Sequence, residues 1–302
     1  MKKIVVGIPC YNEELSIRKV IEDFKRELPE AQIFVIDNNS KDKTAEIARN
    51  AGAQVFSEKK QGKGFAVQKL FRVFDGDILV LVDGDDTYPA ESVKNLLEPV
   101  INEEAEMVVG NRIHKKNMKN FSRSHWLGNK FFIKILNVLF GGDIKIKDAF
   151  SGYRVFSRDF VNSVILLSKG FEIESELSIQ AIENRLKIKE IDISYRLRVN
   201  GSSSKIKTIR DGVNILYVII SLFRDYKPLI FFFSISFVFL FFSILLGWYG
   251  VKDYFKTGMV YHFPSLFVSG FFAIASFVSF IAGLILSSIK RRYDEIISIL
   301  KK

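Results

Sequence analysis

Three aspartates, Asp83, Asp85 and Asp86, follow a short apolar run. Carboxylates this close together repel one another, so a counter-charge such as a divalent cation is expected beside them. Carboxylate oxygens suit Mg²⁺ or Mn²⁺, and these ions commonly bridge to the phosphates of a substrate. The same residue types are also frequent in ordinary polar turns. The motif therefore leaves two interpretations open, a metal–diphosphate site and a turn.

The apolar run before these aspartates is rich in leucine and β-branched residues, which is typical of a strand buried on both faces of a parallel sheet. Similar runs alternate with helical patterns up to about residue 110. The predicted strands are 4–8, 33–36, 53–56, 78–82 and 107–109. This alternation predicts an α/β fold with a doubly wound sheet. Ligands of such sheets bind just beyond the carboxyl ends of the strands, which is where the aspartates lie.

Polar residues also follow the other predicted strands. Asn12 is expected to cap a helix that begins near residue 13. Residues 37–40 suit either a ribose or base edge, or the cap of a helix at 41–50. Lys63 lies between two glycines at a helix start, where a phosphate can bind, although the spacing is not that of a P-loop. Because all these clusters lie at one edge of the sheet, they favour a metal and nucleotide site over unrelated turns.

The composition narrows the class of partner. The chain has 302 residues, a formal net charge of +10 and an isoelectric point near 9.4, which favour anionic partners. A single cysteine excludes an intrachain disulfide, and three scattered histidines do not suggest a metal cluster. No signal peptide is expected, because the chain begins with a strand pattern. Nucleic acid is not an expected partner, because no recognition motif occurs.

Four motifs in the first two-thirds of the chain together resemble those of family-2 inverting glycosyltransferases with the A-type, Rossmann-like nucleotide-sugar fold. They are Pro9-x-Tyr11-Asn12-Glu13, Asp37-x-x-Ser40-x-Asp42-x-Thr44, Gly62-Lys63-Gly64-x-Ala66 and Asp83-Gly84-Asp85. The resemblance implies a nucleotide-sugar site made of Pro9, Tyr11, Asn12, Glu13, Asp37, Ser40, Lys63, Asp83 and Gly84. It also implies that Asp83 and Asp85 bind Mg²⁺ or Mn²⁺ together with the diphosphate.

A further resemblance narrows the acceptor. Asp148-Ala-Phe-Ser151-Gly152-Tyr153-Arg154-Val-Phe156 resembles the Asp-x-x-Ser-Gly-Phe-Arg-x-Phe signature of polyprenyl-phosphate glycosyltransferases of the dolichol-phosphate-mannose synthase type, with Tyr153 in place of Phe. A second match begins at Arg198 and has one residue more than the family pattern. The resemblance implies that the lipid phosphate is bound by Arg112, Arg123, Ser151 and Arg198. It makes Asp148 the catalytic candidate, which orients the acceptor or takes a residual proton.

The residues after Asp85 depart from the mannose synthases. Those enzymes commonly have Leu-Gln there, and the Gln joins the metal shell, whereas this chain has Asp86 and Thr87. The departure favours UDP-glucose or UDP-N-acetylglucosamine as the donor and leaves GDP-mannose open. The Gln-x-x-Arg-Trp pentad of the processive polysaccharide synthases does not occur, which argues against a polymerase.

Three glutamates, Glu172, Glu174 and Glu176, fall in a predicted helix at 172–184. Their spacing suits a charged face exposed to solvent. The alternative is a role near the hydroxyl groups of the sugar.

The last third of the chain has the pattern of a membrane anchor. The stretches 229–248 and 263–289 are apolar and long enough to cross a bilayer, and positive charges flank both. Residues 205–227 have the amphipathic pattern of a helix in the membrane interface or, alternatively, of one packed on the sheet. The expected division is a glycosyltransferase domain (1–204), a juxtamembrane helix (205–227), a transmembrane hairpin (228–290) and a basic tail (291–302). The catalytic domain and both termini are expected in the cytoplasm.

Together these patterns predict a membrane enzyme that transfers a hexose from a nucleotide sugar to a polyprenyl phosphate, such as undecaprenyl or dolichyl phosphate, with inversion and with a divalent metal. The hairpin anchors the enzyme and is a candidate for homo-oligomer contacts. Two alternatives remain at this stage. One is a membrane-anchored glycosyltransferase with an acceptor other than a lipid phosphate, and the other is an inactive anchoring or assembly protein with this fold.

Overall fold

The described residues of the computed structural model are 2–113, 123–141, 145–197 and 208–300. The chain divides between Ile219 and Ile220 into two structural units. The first unit is built on a sheet with helices on both faces, and the second is formed mainly by two long helices.

Apolar runs rich in valine and isoleucine form seven strands in the described part of the first unit. The strands are β1 (Ile4–Cys10), β2 (Gln32–Asp37), β3 (Gln54–Ser57), β4 (Ile78–Leu81), β5 (Met107–Asn111), β6 (Arg154–Ser157) and β7 (Ile188–Asp192). Their order across the sheet is β3-β2-β1-β4-β6-β5-β7. β6 runs antiparallel to β4 and β5, and the other pairs are parallel. The mostly parallel sheet is confirmed, but β6 was not predicted.

Helices cover both faces of this sheet. They are α1 (Ile17–Glu27), α2 (Thr44–Asn50), α3 (Lys63–Val73), α4 (Val93–Ile101), α6 (Arg158–Ser163) and α7 (Ile173–Glu183). Two further helices follow in the chain as α5 (Arg123–Leu139) and α8 (Thr208–Tyr226), and the boundary between the two units falls within α8. Successive residues of β1 face opposite cores: Val6 packs in the core with α1 and α4, and Val5 in the core with α3, α6 and α7. At Gly7 a Cβ atom would lie 2.3 Å from the Leu70 side chain, so α3 packs directly on the backbone of β1.

The direction of β6 decides where the preceding segment lies. β6 begins at Arg154, which pairs with Leu81 at the end of β4 and with Val109 in β5. An antiparallel strand begins where its parallel neighbours end. Residues 148–153 therefore lie at the edge of the sheet that carries the aspartates.

The loop after β1 differs from the prediction. α1 starts at Ile17, and Ser16 occupies its N-cap position. The Asn12 side-chain oxygen instead accepts a hydrogen bond from the Lys41 amide at 2.8 Å, and the Asn12 amide donates to Ser40 Oγ at 3.0 Å. The prediction that Asn12 caps the first helix is wrong, because Asn12 joins the loop after β1 to the loop after β2.

The second unit contains α9 (Pro228–Val251), the short α10 (Tyr254–Thr257) and α11 (Phe263–Leu300). The segments Pro228–Thr257 and Phe263–Tyr293 are long and apolar enough to cross a membrane, with mean hydropathies of 2.8 and 2.2. In the most apolar part of each, 11% of the residues are buried within the protein. The sequence alone predicted both spans, and α11 continues as a helix to Leu300, within the region predicted as a basic tail.

Serine side chains join α9 to α11. The hydroxyl oxygens of Ser236 and Ser276 lie 2.9 Å apart, and Ser276 also contacts the Ser236 carbonyl oxygen at 2.9 Å. Ser243 and Ser269 each donate to the carbonyl oxygen of the other at 2.9 Å. These paired bonds satisfy hydroxyl groups that an apolar surrounding would leave without partners.

Candidate active site

The Asp-Gly-Asp segment follows β4 and lines a cavity of about 230 Å³. Gly84 fits there because it lacks a side chain: a Cβ atom would lie 2.6 Å from the Cys10 sulfur. The Gly84 carbonyl accepts a hydrogen bond from Ser16 Oγ at 2.7 Å. The residues predicted for the nucleotide sugar that line this cavity are Pro9, Tyr11, Glu13, Lys63, Asp83 and Gly84, and Asp85 lines it as well.

The other three residues predicted for the nucleotide sugar, Asn12, Asp37 and Ser40, do not line the cavity and are linked to one another by hydrogen bonds. Asn12 and Ser40 are joined by the hydrogen bond described above, and Asp37 accepts a bond from the Ser40 amide at 3.4 Å. Asn38, which the sequence analysis did not select, lines the cavity and accepts a bond from the Gly62 amide at 2.7 Å. The sequence feature that could have identified Asn38 is its position in the polar run 37–40. Phe171 also lines the cavity, and no sequence pattern marked it.

Lys63 lies between two carboxylates at the cavity wall. Its Nζ is 2.6 Å from Asp83 Oδ1 and 2.6 Å from Glu174 Oε1. Burial alone would lower the pKa of Lys63, but the charges of Asp83 and Glu174 outweigh it and raise that pKa above its ordinary value. Burial raises the pKa of Glu174, against the opposing charge of Lys63. Lys63 therefore supplies part of the counter-charge that the aspartate run requires.

The glycines beside Lys63 make room for backbone. A Cβ atom at Gly64 would lie 2.1 Å from the Ser168 carbonyl oxygen, and one at Gly62 would lie 2.2 Å from that of Lys169. The Gly64 amide donates to the Lys169 carbonyl at 3.1 Å. The two glycines thus allow the segment before α7 to pack against the start of α3.

Two glutamates hold that segment, Glu172 just before α7 and Glu176 within it. Glu176 accepts hydrogen bonds from the Leu167 and Ser168 amides, both at 2.9 Å. Glu172 accepts from the next two amides at 3.0 and 2.8 Å. Glu172, Glu174 and Glu176 are all buried. The interpretation of these glutamates as a solvent-exposed charged face is therefore wrong, because each carboxylate is bound by amides or by Lys63.

Asp83 and Asp85 are suited to a divalent metal. In the described part of the chain, no group of three or more Asp, Glu, His or Cys side chains is arranged to hold an ion by itself. Two carboxylates are what Mg²⁺ commonly takes from a protein when substrate phosphates and water complete its shell. Asp86, the third carboxylate of the run, has φ +59° and pairs with Lys19 at 2.7 Å.

Arg112 and Asp148 form a buried, bidentate ion pair. Arg112 Nε and Nη2 donate to the two Asp148 oxygens at 2.9 and 3.0 Å, and the Arg112 amide donates to Asp148 at 3.0 Å. Burial alone would raise the pKa of Asp148, but Arg112 outweighs it and lowers that pKa. Glu190 accepts bonds from the Lys147 and Asp148 amides and so fixes the backbone. A carboxylate held in this way orients Arg112 and is a weak base.

The loop from Asp148 to Arg154 joins this ion pair to the aspartates. Arg112 Nη2 donates to the Phe150 carbonyl at 2.5 Å. Two residues later, a Cβ atom at Gly152 would lie 2.4 Å from Asp83 Oδ2 and 2.9 Å from Lys63 Nζ. Ser151 is buried, and its hydroxyl accepts a bond from the Tyr153 amide at 3.3 Å. The structure thus brings Asp83, Lys63, Ser151, Arg112 and Asp148 together around one loop.

Arg154 is the largest fully buried side chain among the described residues. Its guanidinium donates to the carbonyls of Ala149, Ser151 and Glu174, and to Ser178 Oγ. Burial lowers its pKa. These bonds fasten the loop to α7.

Two predicted phosphate-binding residues are not placed. Arg123 begins α5, but its side chain lies outside the described residues, and Arg198 lies outside them entirely.

Residues 5–164 match the sequence profile of the family described as Glycosyl transferase family 2. The chain belongs to glycosyltransferase family 2. It is 32% identical over 235 residues to glycosyltransferase AglJ of Haloferax volcanii, covering 78% of this chain and 76% of that protein. It is also 32% identical over 195 residues to the dolichyl-phosphate hexose transferase of the same organism, covering 65% of this chain and 83% of that one.

Among solved structures, this glycosyltransferase resembles glucosyl-3-phosphoglycerate synthase of Mycobacterium tuberculosis in complex with Mn²⁺, UDP and phosphoglyceric acid. The TM-score is 0.61 at 21% identity, covering 73% of this chain and 78% of that one. At this identity the likeness establishes the fold alone.

Proposed function

We propose that this glycosyltransferase transfers a hexose from a nucleotide sugar to the phosphate of a polyprenyl phosphate lipid. The observation that carries the proposal is the contact between Gly152 and Asp83. Through this contact the nucleotide cavity adjoins the loop that holds Arg112. The name of the dolichyl-phosphate hexose transferase and the two apolar helices support a lipid phosphate as the acceptor.

The residues divide into a donor side and an acceptor side. Asp83 and Asp85 would hold Mg²⁺ or Mn²⁺, which neutralises the leaving diphosphate when bound. Arg112 binds the acceptor phosphate, and Asp148 keeps the guanidinium in place. The acceptor oxygen attacks the anomeric carbon opposite the nucleoside diphosphate, so that one C–O bond forms, the other breaks and the configuration inverts. A phosphate monoester is largely ionised near neutral pH, so the step requires little help from a base.

The donor we favour is UDP-glucose or UDP-N-acetylglucosamine. The support is the departure after Asp85, where neither Asp86 nor Thr87 is a Gln. Thr87 donates to Asp85 Oδ1 at 2.6 Å, and Asp86 pairs with Lys19. Positive charges at Arg224 and Lys227, and at 290–292, support a cytoplasmic catalytic domain.

In the decisive experiment, the purified full-length protein in lipid nanodiscs is incubated with each of three labelled donors. They are UDP-glucose, UDP-N-acetylglucosamine and GDP-mannose. Undecaprenyl phosphate or dolichyl phosphate serves as the acceptor, and mass spectrometry identifies the glycolipid. We expect a hexosyl phosphate lipid from a UDP-sugar, and we expect chelation of divalent ions with EDTA to abolish it.

The matched control for this experiment is Asp85→Asn, which keeps the shape of the side chain and removes its charge. We expect it to abolish transfer. Transfer to a water-soluble acceptor, with no glycolipid formed, would support the alternative of an acceptor other than a lipid phosphate. No turnover of any donor by the folded protein would support an inactive scaffold.

A further inference from the structure

Glu174 differs from the two neighbouring glutamates in what its carboxylate contacts. Glu172 and Glu176 each accept hydrogen bonds from two backbone amides, so their carboxylates hold the chain itself. The Glu174 carboxylate is buried as well, but in the described part of the chain its one hydrogen-bond donor is Lys63 Nζ, at 2.6 Å. Because a buried carboxylate is costly unless it is paired, the role of this side chain lies in its contact with Lys63.

The main chain at Glu174 is held separately. Its carbonyl oxygen accepts a hydrogen bond from the buried Arg154 guanidinium at 2.8 Å and another from Ser178 Oγ at 3.1 Å. Since these bonds fix the backbone of α7 at this point, the carboxylate stays within reach of Lys63.

Lys63 is shared by two carboxylates that differ in exposure. The Asp83 side chain is 24% exposed and lines the cavity, whereas the Glu174 side chain is 9% exposed and does not line it. The Lys63 ammonium lies 5.9 Å from the centre of the Phe171 ring and faces Gly152. The ammonium therefore has two charged partners, one at the cavity wall and one away from it.

A cation on Asp83 changes this arrangement. A divalent ion repels the ammonium, which lies 2.6 Å from an oxygen of the same carboxylate. A buried ammonium needs a carboxylate partner, so Lys63 without Glu174 would compete with the cation for Asp83. With Glu174 present, Lys63 keeps a counter-charge while Asp83 binds the cation. The ammonium then remains at the cavity, where a diphosphate can contact it.

We propose that Glu174 is a positioning residue that holds Lys63 when Asp83 binds the divalent cation, so that the ammonium contacts the diphosphate and does not compete with the metal. The inference rests on the proposed function, in which Asp83 and Asp85 bind the cation. It assigns a role to a residue of α7 that acts on the donor site through Lys63.

The test measures Mn²⁺ binding by electron paramagnetic resonance on the full-length protein in phosphatidylcholine nanodiscs, because bound Mn²⁺ loses the six-line signal of the free ion. We expect Glu174→Gln to lower the affinity for Mn²⁺ about tenfold or more, as is typical when a partner of a metal ligand is removed. The same variant should need more Mn²⁺ for half-maximal hexose transfer. At saturating Mn²⁺ its turnover should stay within about threefold of the wild type, because the cation then displaces Lys63 from Asp83.

Three further variants separate the contact with Lys63 from the effect of charge alone. Glu174→Asp keeps the charge but is one methylene shorter, so it should lose about as much affinity as Glu174→Gln. Glu172→Gln removes a charge two residues away, and its amide oxygen can still accept the bonds from the Lys169 and Gly170 amides, so it should retain the wild-type affinity. Adding Lys63→Met to Glu174→Gln removes the competing ammonium and should restore at least the wild-type affinity for Mn²⁺.

Wild-type affinity for Mn²⁺ in Glu174→Gln would overturn the inference, and so would wild-type affinity in Glu174→Asp, since charge alone would then be sufficient. A failure of Lys63→Met to restore binding in Glu174→Gln would also overturn it, because the loss would not come from Lys63. If Glu174→Gln does not fold, Glu174→Asp with and without Lys63→Met makes the same comparison. A wild type that does not bind Mn²⁺ would overturn the metal site of the proposed function, and this inference with it.

Discussion

At Gly152 the loop from Asp148 to Arg154 lies directly against the side chains of Asp83 and Lys63. A Cβ atom there would lie within 2.9 Å of both Asp83 and Lys63, which pair with each other. Real Cβ atoms do not approach other atoms so closely, so any side chain at this position displaces either the loop or the carboxylate.

The first prediction concerns this contact. Gly152→Ala should lower the affinity for Mn²⁺·UDP by at least about tenfold, because ligands displaced by about 1 Å lose much of their effect. Isothermal titration calorimetry measures the affinity. The control is Gly128→Ala, since a Cβ atom at Gly128 would meet nothing within 4 Å in α5. That control should keep the affinity and gain about 0.5–1 kcal/mol of stability. Equal affinities for the two variants would contradict the prediction.

Tyr153 differs from the family pattern by a hydroxyl group, and this hydroxyl is buried with no hydrogen-bond partner in the described part of the chain. We expect Tyr153→Phe to stabilise the protein by about 1 kcal/mol, because the unsatisfied group is removed. Tyr88→Phe is the matched control and should destabilise it, because the Tyr88 hydroxyl accepts a bond from the Gly152 amide. Chemical unfolding measures both changes. A loss of stability in Tyr153→Phe would instead indicate a bound water as the partner.

The Arg112–Asp148 pair makes a prediction about pH. The pKa of Asp148 is lower in the folded protein than in the unfolded chain, where it is about 3.9. The charged carboxylate therefore stabilises the fold above about pH 4, and this stabilisation is lost as the pH falls through the folded pKa. At pH 7 we expect Asp148→Asn to lose about 3 kcal/mol, because Arg112 is left buried without its counter-ion. The difference from the wild type should narrow below about pH 4.

Chemical unfolding at pH 7 and pH 3 checks this expectation. Asp75→Asn is the control, since Asp75 forms an exposed ion pair with Lys3 that contributes little. Asp148→Asn should also transfer hexose slowly while it binds UDP within about threefold of the wild type, because its loss acts on Arg112. A difference in stability that is the same at both pH values would argue against the ion pair as its source.

At the scale of elements, the serine pairs between α9 and α11 are expected to contribute to the stability of the second unit. Replacing Ser236 and Ser276 together by alanine should reduce the stability of the second unit by about 1 kcal/mol, because hydrogen bonds between membrane helices contribute about 0.6 kcal/mol each on average. The control is Ser234→Ala, since the Ser234 hydroxyl bonds only within its own helix, to the Ile230 carbonyl. Unfolding in bicelles measures both. Similar losses in the two variants would show that the bonds between the helices contribute nothing.

The elements also show what the sequence predicted and what it did not. β1, β2 and β4 were predictable because each buries a continuous apolar run. β6 was not, since four residues, Arg154–Ser157, carry no period of their own and the strand depends on its neighbours. The glutamates of α7 were misjudged because their partners are backbone amides and Lys63, which sequence spacing does not reveal. The aspartate cavity was predictable because the carboxyl ends of parallel strands meet at one edge.

At the scale of the whole molecule, the two apolar segments and their flanking charges predict a topology. In a protein with Met259→Cys, which lies between the spans, a membrane-impermeant maleimide should label intact cells. In one with Tyr293→Cys, which is the last residue of the second apolar segment, it should label only lysed cells. Both positions are exposed, and the single native cysteine, Cys10, is buried and should give little background. Labelling in the opposite order would contradict a cytoplasmic catalytic domain.

The length of α11 has one more consequence. Its 38 residues span about 57 Å at 1.5 Å per residue, whereas the hydrocarbon layer is about 30 Å thick. Ile296 is exposed and lies six residues, or about 9 Å, beyond Lys290 on the same rod. The distance between a fluorophore attached at Ile296 and dyes on the lipids would therefore report the tilt of α11, because the helix holds the attachment point in a fixed position relative to the membrane-crossing segment.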